Sequence, residues 1–149
     1  MILSQNKKAY ADYEVMEKLE AGIELSGPEV KSVRAGQSNL KGSYVEVKNG
    51  EAFTKNIHIS PYKQASNQQK EYDPARKRKL LLHKKEILQL ETNLNEKGIS
   101  AIPLDFHLSH NRIKLTIGVC RGKKKYDRRS ELKKKAQDLE IRRTLKNNR

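Results

Sequence analysis

Between Tyr44 and Ile59 the chain reads as two β runs with Asn49-Gly50 between them. Asn and Gly both tolerate positive φ, which a two-residue type I′ turn demands at both central positions, so this pair joins neighbouring antiparallel strands. Val45 and Val47 share one side of the outgoing strand, and Phe53, Ile57 and Ile59 sit at odd spacing on the return. A second pair runs from Ile99 to Leu108 and from Arg112 to Val119, joined by Ser109-His110-Asn111. In it Ile113, Leu115 and Ile117 alternate with Lys114 and Thr116. Strands delivered as hairpins, with helices inserted between them, build an antiparallel sheet rather than βαβ units. In a chain of 149 residues such a sheet must curl over one core. The expected fold is mainly β with accessory helices: a small antiparallel OB-type barrel capped by about three short helices.

The stretch Glu20 to Gly36, EAGIELSGPEVKSVRAG, joins a strand to a helix. Ile23 and Leu25 alternate with Glu24, as at the end of a half-buried strand. Ser26 and Glu29 have capping-box spacing, while Pro28, suited to a first helical position, points to Gly27 as the cap; the two registers exclude each other. Val30 and Val33 share one face of the helix, Lys31 and Arg34 another, and Gly36 can close it in the left-handed region.

Elsewhere, Met1 to Lys8 reads as a flexible arm, and Ala9 to Leu19 as a strand bending near Glu17-Lys18. Lys63 to Asp73 is polar and loop-like. Asp73 and Pro74 open a helical stretch that carries Arg76-Lys77-Arg78-Lys79, then Leu80-Leu81-Leu82, then Ile87, Leu90 and Leu94, and that ends at Gly98.

Charge narrows the partner. The net charge is +14, of which residues 121–149 carry +9 and residues 1–120 carry +5. Residues 1–120 are therefore expected to form a mildly basic barrel domain, and residues 121–149 a strongly basic C-terminal tail, the footprint of a polyanion binder. The tail lacks the Trp/Phe/Leu face of an interfacial helix, so nucleic acid is favoured over membrane. A lone cysteine, Cys120, allows no internal disulfide. No apolar run approaches membrane-spanning length, and the protein is expected in the cytoplasm.

Catalytic motifs are missing from the sequence. His58, His83, His107 and His110 lack zinc-site spacing, Gly122-Lys123-Lys124 lacks the remainder of a phosphate-binding loop, and no acidic pair is placed for acid–base work. No metal, cofactor or catalytic residue is expected. The binding pattern is richer. Lys7, Lys8, Lys31, Arg34, Arg76, Lys77, Arg78, Lys79, Lys123, Lys124 and Lys125 recur at element ends, where they can reach phosphates. Tyr10, Tyr13, Tyr44, Tyr62 and Tyr126 lie among them and can stack on bases, although sheet packing is expected to claim more than half.

Asn6-Lys7-Lys8-Ala9, Glu20-Ala21-Gly22-Ile23, Gly27-Pro28-Glu29-Val30-Lys31-Ser32, Arg34-Ala35-Gly36, Asp73-Pro74, Arg78-Lys79-Leu80-Leu81-Leu82-His83 and Gly122-Lys123-Lys124 through Asp127-Arg128-Arg129 occur in the order of the SsrA-binding protein (SmpB) family, which the chain resembles over nearly its whole length. The resemblance implies an OB-type barrel that binds the tRNA-like domain of transfer-messenger RNA and delivers it to stalled ribosomes in trans-translation. It implies RNA contacts at Asn6, Lys7, Glu20, Gly22, Lys31, Arg34, Arg78, Lys79 and Leu81, to which the charge pattern adds Lys8 and Arg76. It also implies a tail facing the decoding region and mRNA path of the ribosome through Lys123, Lys124, Tyr126, Asp127, Arg128 and Arg129. Elongation factor Tu would be met through the RNA, and a monomer is expected. Tyr126 stands where the family often has His, and beyond Arg129 the tail lacks the tryptophan common there.

Leu132, Ala136 and Leu139 are spaced for one helical face, too little apolar surface to hold a helix against such charge; disorder in isolation and folding on the ribosome are expected. Two other functions fit the composition: a ribosomal-protein-like structural binder of ribosomal RNA, and an RNA-processing enzyme.

Overall fold

The computed structural model describes residues 1–62 and 71–123. The described elements, in chain order, are β1 (Ile2–Gln5), α1 (Lys7–Asp12), β2 (Tyr13–Ile23), α2 (Gly27–Arg34), β3 (Ser38–Asn39), β4 (Tyr44–Lys48), β5 (Glu51–Lys55), β6 (His58–Ile59), β7 (Arg78–Leu81), α3 (Lys84–Leu94), β8 (Ile99–Ser109) and β9 (Arg112–Gly122). Seven strands form one sheet in the order β1-β8-β9-β2-β7-β5-β4, and β3 pairs with β6. Every described pairing is antiparallel. Strand β4, at one edge, packs against β8, next to the other edge, so the sheet rolls into the expected barrel. Ala21, Ile23, Val45, Ala52, Leu80, Phe106, Leu115, Ile117 and Val119 fill its interior, together with Val33 of α2 and Leu90 of α3. The expected tail, apart from its first residues, lies outside the described residues; β9 runs through Arg121 and Gly122, two residues past the expected boundary of the barrel domain.

Both hairpin turns carry the positive φ that their residues suit: Asn49 and Gly50 in one, His110 and Asn111 in the other. At α2 the capping-box register holds. Glu29 N–H donates to Ser26 Oγ, and Ser26 N–H donates to Glu29 Oε1. The helix ends in a Schellman motif: Gly36, at φ 76°, donates to Val33 O, and Gln37 donates to Ser32 O.

Three expectations fail. Instead of a flexible arm, Ile2–Gln5 adds an edge strand to β8. The run from Ala9 does not start as a strand, because Asn6 caps a short helix through Asp12 before β2 begins. Arg76 to Leu82 is not helical: it passes from a turn into β7, and the helix starts only after His83. Period alone cannot separate a short apolar run in a buried strand from a helical one, and here pairing with β2 and β5 decides.

The outer face of β2, β9 and β8 changes character along its length. Toward one end, Ile102, Leu104 and Cys120 lie beneath Ala9 of α1, in a small apolar cluster with Tyr10, Tyr13 and Val15. Toward the other end the face is polar. The change falls beside a bulge in β8 between Pro103 and Asp105. A bulge removes carbonyls from the ladder, and Asn6 serves this one: its N–H donates to Leu104 O, and its side-chain amide donates to Pro103 O and Leu40 O.

Candidate nucleic-acid interface

On the polar part of that face the registers define two rows. One runs Glu20–Thr116–Asp105 across β2, β9 and β8; the other runs Gly22–Lys114–His107. Leu81 of β7 extends the second row, opposite Gly22. A Cβ built on Gly22 would lie 3.1 Å from Leu81 Cβ, so the glycine lets the two strands approach and leaves Leu81 standing clear, 53% exposed. Lys79, two residues back on β7, projects alongside and reaches Glu51 at 3.4 Å. Glu20, Gly22, Lys79, Leu81, His83 and Lys114 together line one open groove. Arg34 joins from α2: its guanidinium donates to Asn111 O at 2.9 Å, which sets the end of the helix beside the β8–β9 turn. Lys31, on the same exposed side of α2, has its ammonium 5.6 Å from the Tyr62 ring.

Thus Glu20, Gly22, Lys79 and Leu81 converge in the groove, with Arg34 at the β8–β9 turn. Lys114 and His107 also belong to the face and were not among the expected RNA contacts. The alternation of Lys114 with Ile113 and Leu115 already pointed it outward, but only strand register places it beside Gly22.

Lys7 and Lys8 lie elsewhere. They are exposed on α1, and Lys8 lines a second pocket with Asp12, Tyr13, Lys41 and Tyr44. Tyr13 and Gly22 are nine residues apart on β2, a separation on the order of 30 Å along a strand. Lys123 N–H donates to Asp12 O at 3.0 Å, so the chain leaves β9 at the α1 end. Lys124, Tyr126, Asp127, Arg128 and Arg129 lie outside the described residues.

Two expected RNA contacts are corrected. Asn6 is 3% exposed, engaged with the β8 bulge and with Ala9 N–H of its own helix. Arg78 is fully buried. Its guanidinium donates to Glu29 at 2.7 Å, to Ile57 O at 2.7 Å, and to Tyr72 Oη and Pro74 O at 2.9 Å each. Arg76, 37% exposed, grips the same Glu29 carboxylate with two nitrogens. Burial alone would raise the Glu29 pKa, but hydrogen bonds from Arg76, Ser26 N–H and Arg78 hold it at about 2. The single Tyr72 hydroxyl proton is within reach of Glu29 Oε2 at 2.9 Å and Ile59 O at 3.0 Å, and burial with the Glu29 contact pushes the hydroxyl pKa up to about 12. This cluster knits α2 to the segment entering β7. Within it Glu29 and Arg78 are buried, while Arg76 and Tyr72 stay partly exposed.

Burial pushes the Cys120 thiol up to about 11, which leaves it protonated and inert at neutral pH. Among the described residues no group of His, Cys, Asp and Glu is placed to hold a metal ion, and no helix is long and apolar enough to cross a membrane.

A curled antiparallel sheet whose outer groove sets Lys79 and Lys114 among Glu20, Glu51 and Glu86, around the exposed Leu81, is the architecture of an OB-type barrel. The chain belongs to the SmpB protein family, whose model matches residues 3–147. It is 48% identical over 144 residues to the SsrA-binding proteins of Staphylococcus aureus strains Newman and USA300, which covers 97% of this chain and 92% of each relative. A chain of the solved structure "tmRNA-SmpB: a journey to the center of the bacterial ribosome" superposes with a TM-score of 0.70 at 40% identity, over 84% of this chain and 87% of that one.

Proposed function

We propose that this chain binds the tRNA-like domain of transfer-messenger RNA and delivers that RNA to stalled ribosomes for trans-translation, acting in the cytoplasm as a monomeric RNA-binding protein and not as an enzyme. The observation that carries the proposal is convergence. Glu20, Gly22, Lys79 and Leu81, from two separated segments, meet in one exposed groove, with Arg34 of a third close by. The relatives named for SsrA binding and the solved tmRNA-SmpB chain support the same reading. In this reading the groove face, with Lys31, Arg34 and the outer edge of Arg76, holds the tRNA-like RNA through phosphate contacts, an acceptor carboxylate and one apolar contact. Asn6 and Arg78 act from inside by fixing the strands that carry it. The α1 end, with Lys7, Lys8 and the root of the tail at Lys123, faces the ribosome, where Lys124, Tyr126, Asp127, Arg128 and Arg129 engage the decoding region and mRNA path. Elongation factor Tu is met through the bound RNA. Recovering the protein from a cell lysate and sequencing the attached RNA tests this: one dominant tRNA-like species is expected, and ribosomal RNA alone would make the chain a structural ribosome component.

A further inference from the structure

His107 lies between two carboxylates. Its Nδ1 is 2.8 Å from Asp105 Oδ1 on its own strand, and its Nε2 is 2.9 Å from Glu20 Oε2, two strands away. Thr116, between them on β9, donates its hydroxyl to Asp105 Oδ1 at 2.9 Å. A neutral imidazole has one N–H and one lone pair. Its lone pair would face Glu20, or would face Asp105 with only the longer 3.3 Å approach of the Thr116 hydroxyl to Nδ1, a hydroxyl already given to Asp105. The imidazolium donates to both. We propose that His107 is a positioning residue for RNA recognition: donating from both ring nitrogens, it ties the Glu20 carboxylate to Asp105 and so sets the acceptor that the groove presents to RNA.

The need for such a tie follows from the Glu20 side chain, which is 52% exposed and would otherwise sample several rotamers. A carboxylate on an RNA-binding face repels phosphate, so it is useful only where it meets a base N–H or a ribose hydroxyl, and that demands a fixed direction. With Oε2 held by His107, Oε1 is left for the RNA donor. The anchor at the far end is rigid, because Asp105 follows the β8 bulge whose carbonyls Asn6 holds. The charged neighbours facing the ring are Asp105 on β8, Glu20 on β2, and Lys114 directly across on β9; β1 presents the uncharged Ile2. Partial burial alone would lower the His107 pKa, but its bonds to Glu20 and Asp105 and their charges outweigh burial and raise it. The tie is therefore complete at acid pH and is lost as pH rises through that raised value.

This inference rests on the RNA-binding reading of the groove. The test uses the full chain and a tRNA-like RNA at constant ionic strength, with affinity measured from about pH 6 to about pH 8.5, a window in which histidine titrates. Affinity of the unaltered protein should fall about two- to tenfold across the window, the equivalent of one net hydrogen bond. His107→Gln should bind with little pH dependence, near the high-pH level of the unaltered protein, and Glu20→Gln, which also removes the acceptor charge, should bind with little pH dependence below that level. Nitrogen NMR of the unaltered protein should show both His107 ring nitrogens protonated at the acid end of the window, with one proton lost toward the other end. A ring neutral at the acid end, or a His107→Gln variant that keeps the pH dependence, would overturn the proposal. So would an equal pH effect on poly(U), which would trace it to net charge alone. Failure to bind tRNA-like RNA at any pH would instead reject the reading of the groove, while the ring protonation would still report on the tie.

Discussion

Arg78 and Lys79 are adjacent cations with opposite fates, because successive residues of a strand face opposite sides. Lys79 faces the groove. Arg78 faces inward and survives there only because Glu29, Tyr72, Ile57 O and Pro74 O satisfy its guanidinium. Removing one partner of a buried pair leaves the other charge uncompensated. Arg78→Ala should therefore lower stability by about 3–5 kcal/mol in denaturant melts, whereas Lys79→Ala should leave the melt nearly unchanged and weaken RNA binding. Glu29 adds a pH signature. Its folded pKa of about 2 lies below its ordinary 4.5, so its stabilising effect is full above about pH 4.5 and disappears as pH falls toward 2. Stability should drop across that interval, and Arg78→Ala should flatten the drop, which acid titration followed by circular dichroism would measure. The sequence marked Arg78 and Lys79 alike as basic surface because the carboxylate that buries Arg78 is 49 residues away. Asn6 was missed as well: a capping residue before Lys7-Lys8-Ala9-Tyr10 suits a helix start, yet the segment reads as an arm leading into a strand, and the second duty of Asn6 on the β8 bulge required knowing where the strand breaks.

Among the elements, β7 was the hardest to read and matters most to the site. Asp73-Pro74 and three leucines resemble a helix start, and nothing within the segment says that β2 and β5 flank it. The two hairpins were legible because their turn residues are local signals. Reading β7 as a strand explains its leucines: Leu80 points into the core at 2% exposure, Leu81 outward at 53%, and Leu82 packs partly against the core. Leu80→Ala should then lower stability by about 2–5 kcal/mol. Leu81→Ala should change it by only about 0.5 kcal/mol, as surface substitutions do, yet weaken binding of the tRNA-like RNA. A Leu81→Ala variant that melts like Leu80→Ala would place this side chain in the core and remove it from the interface.

At the scale of the whole molecule, β2 sets the division of labour. Eleven residues long, it presents Glu20 and Gly22 to the groove at one end and pairs Tyr13 with Gly122 at the other, where α1, Lys7 and Lys8 gather and the chain departs at Lys123. Two ends on the order of 30 Å apart can each hold a different polyanion, which is what a protein that carries one RNA to a larger RNA assembly requires. If the division is real, cutting the chain after Lys125 should leave affinity for the tRNA-like RNA nearly intact, because the groove, Arg34 and their supports all lie within residues 1–123. The same cut should abolish peptide tagging on stalled ribosomes, because most of the +9 charge of residues 121–149 goes with it. Charge also separates this outcome from a general loss of attraction. Cations that touch the tRNA-like RNA steepen the salt dependence of its binding, and cations that do not leave the slope unchanged. Binding of the truncated protein should keep the slope of the full chain even where its absolute affinity falls slightly. Parallel loss of RNA binding and tagging, together with a shallower slope, would make the tail part of the first grip and merge the two ends into one site.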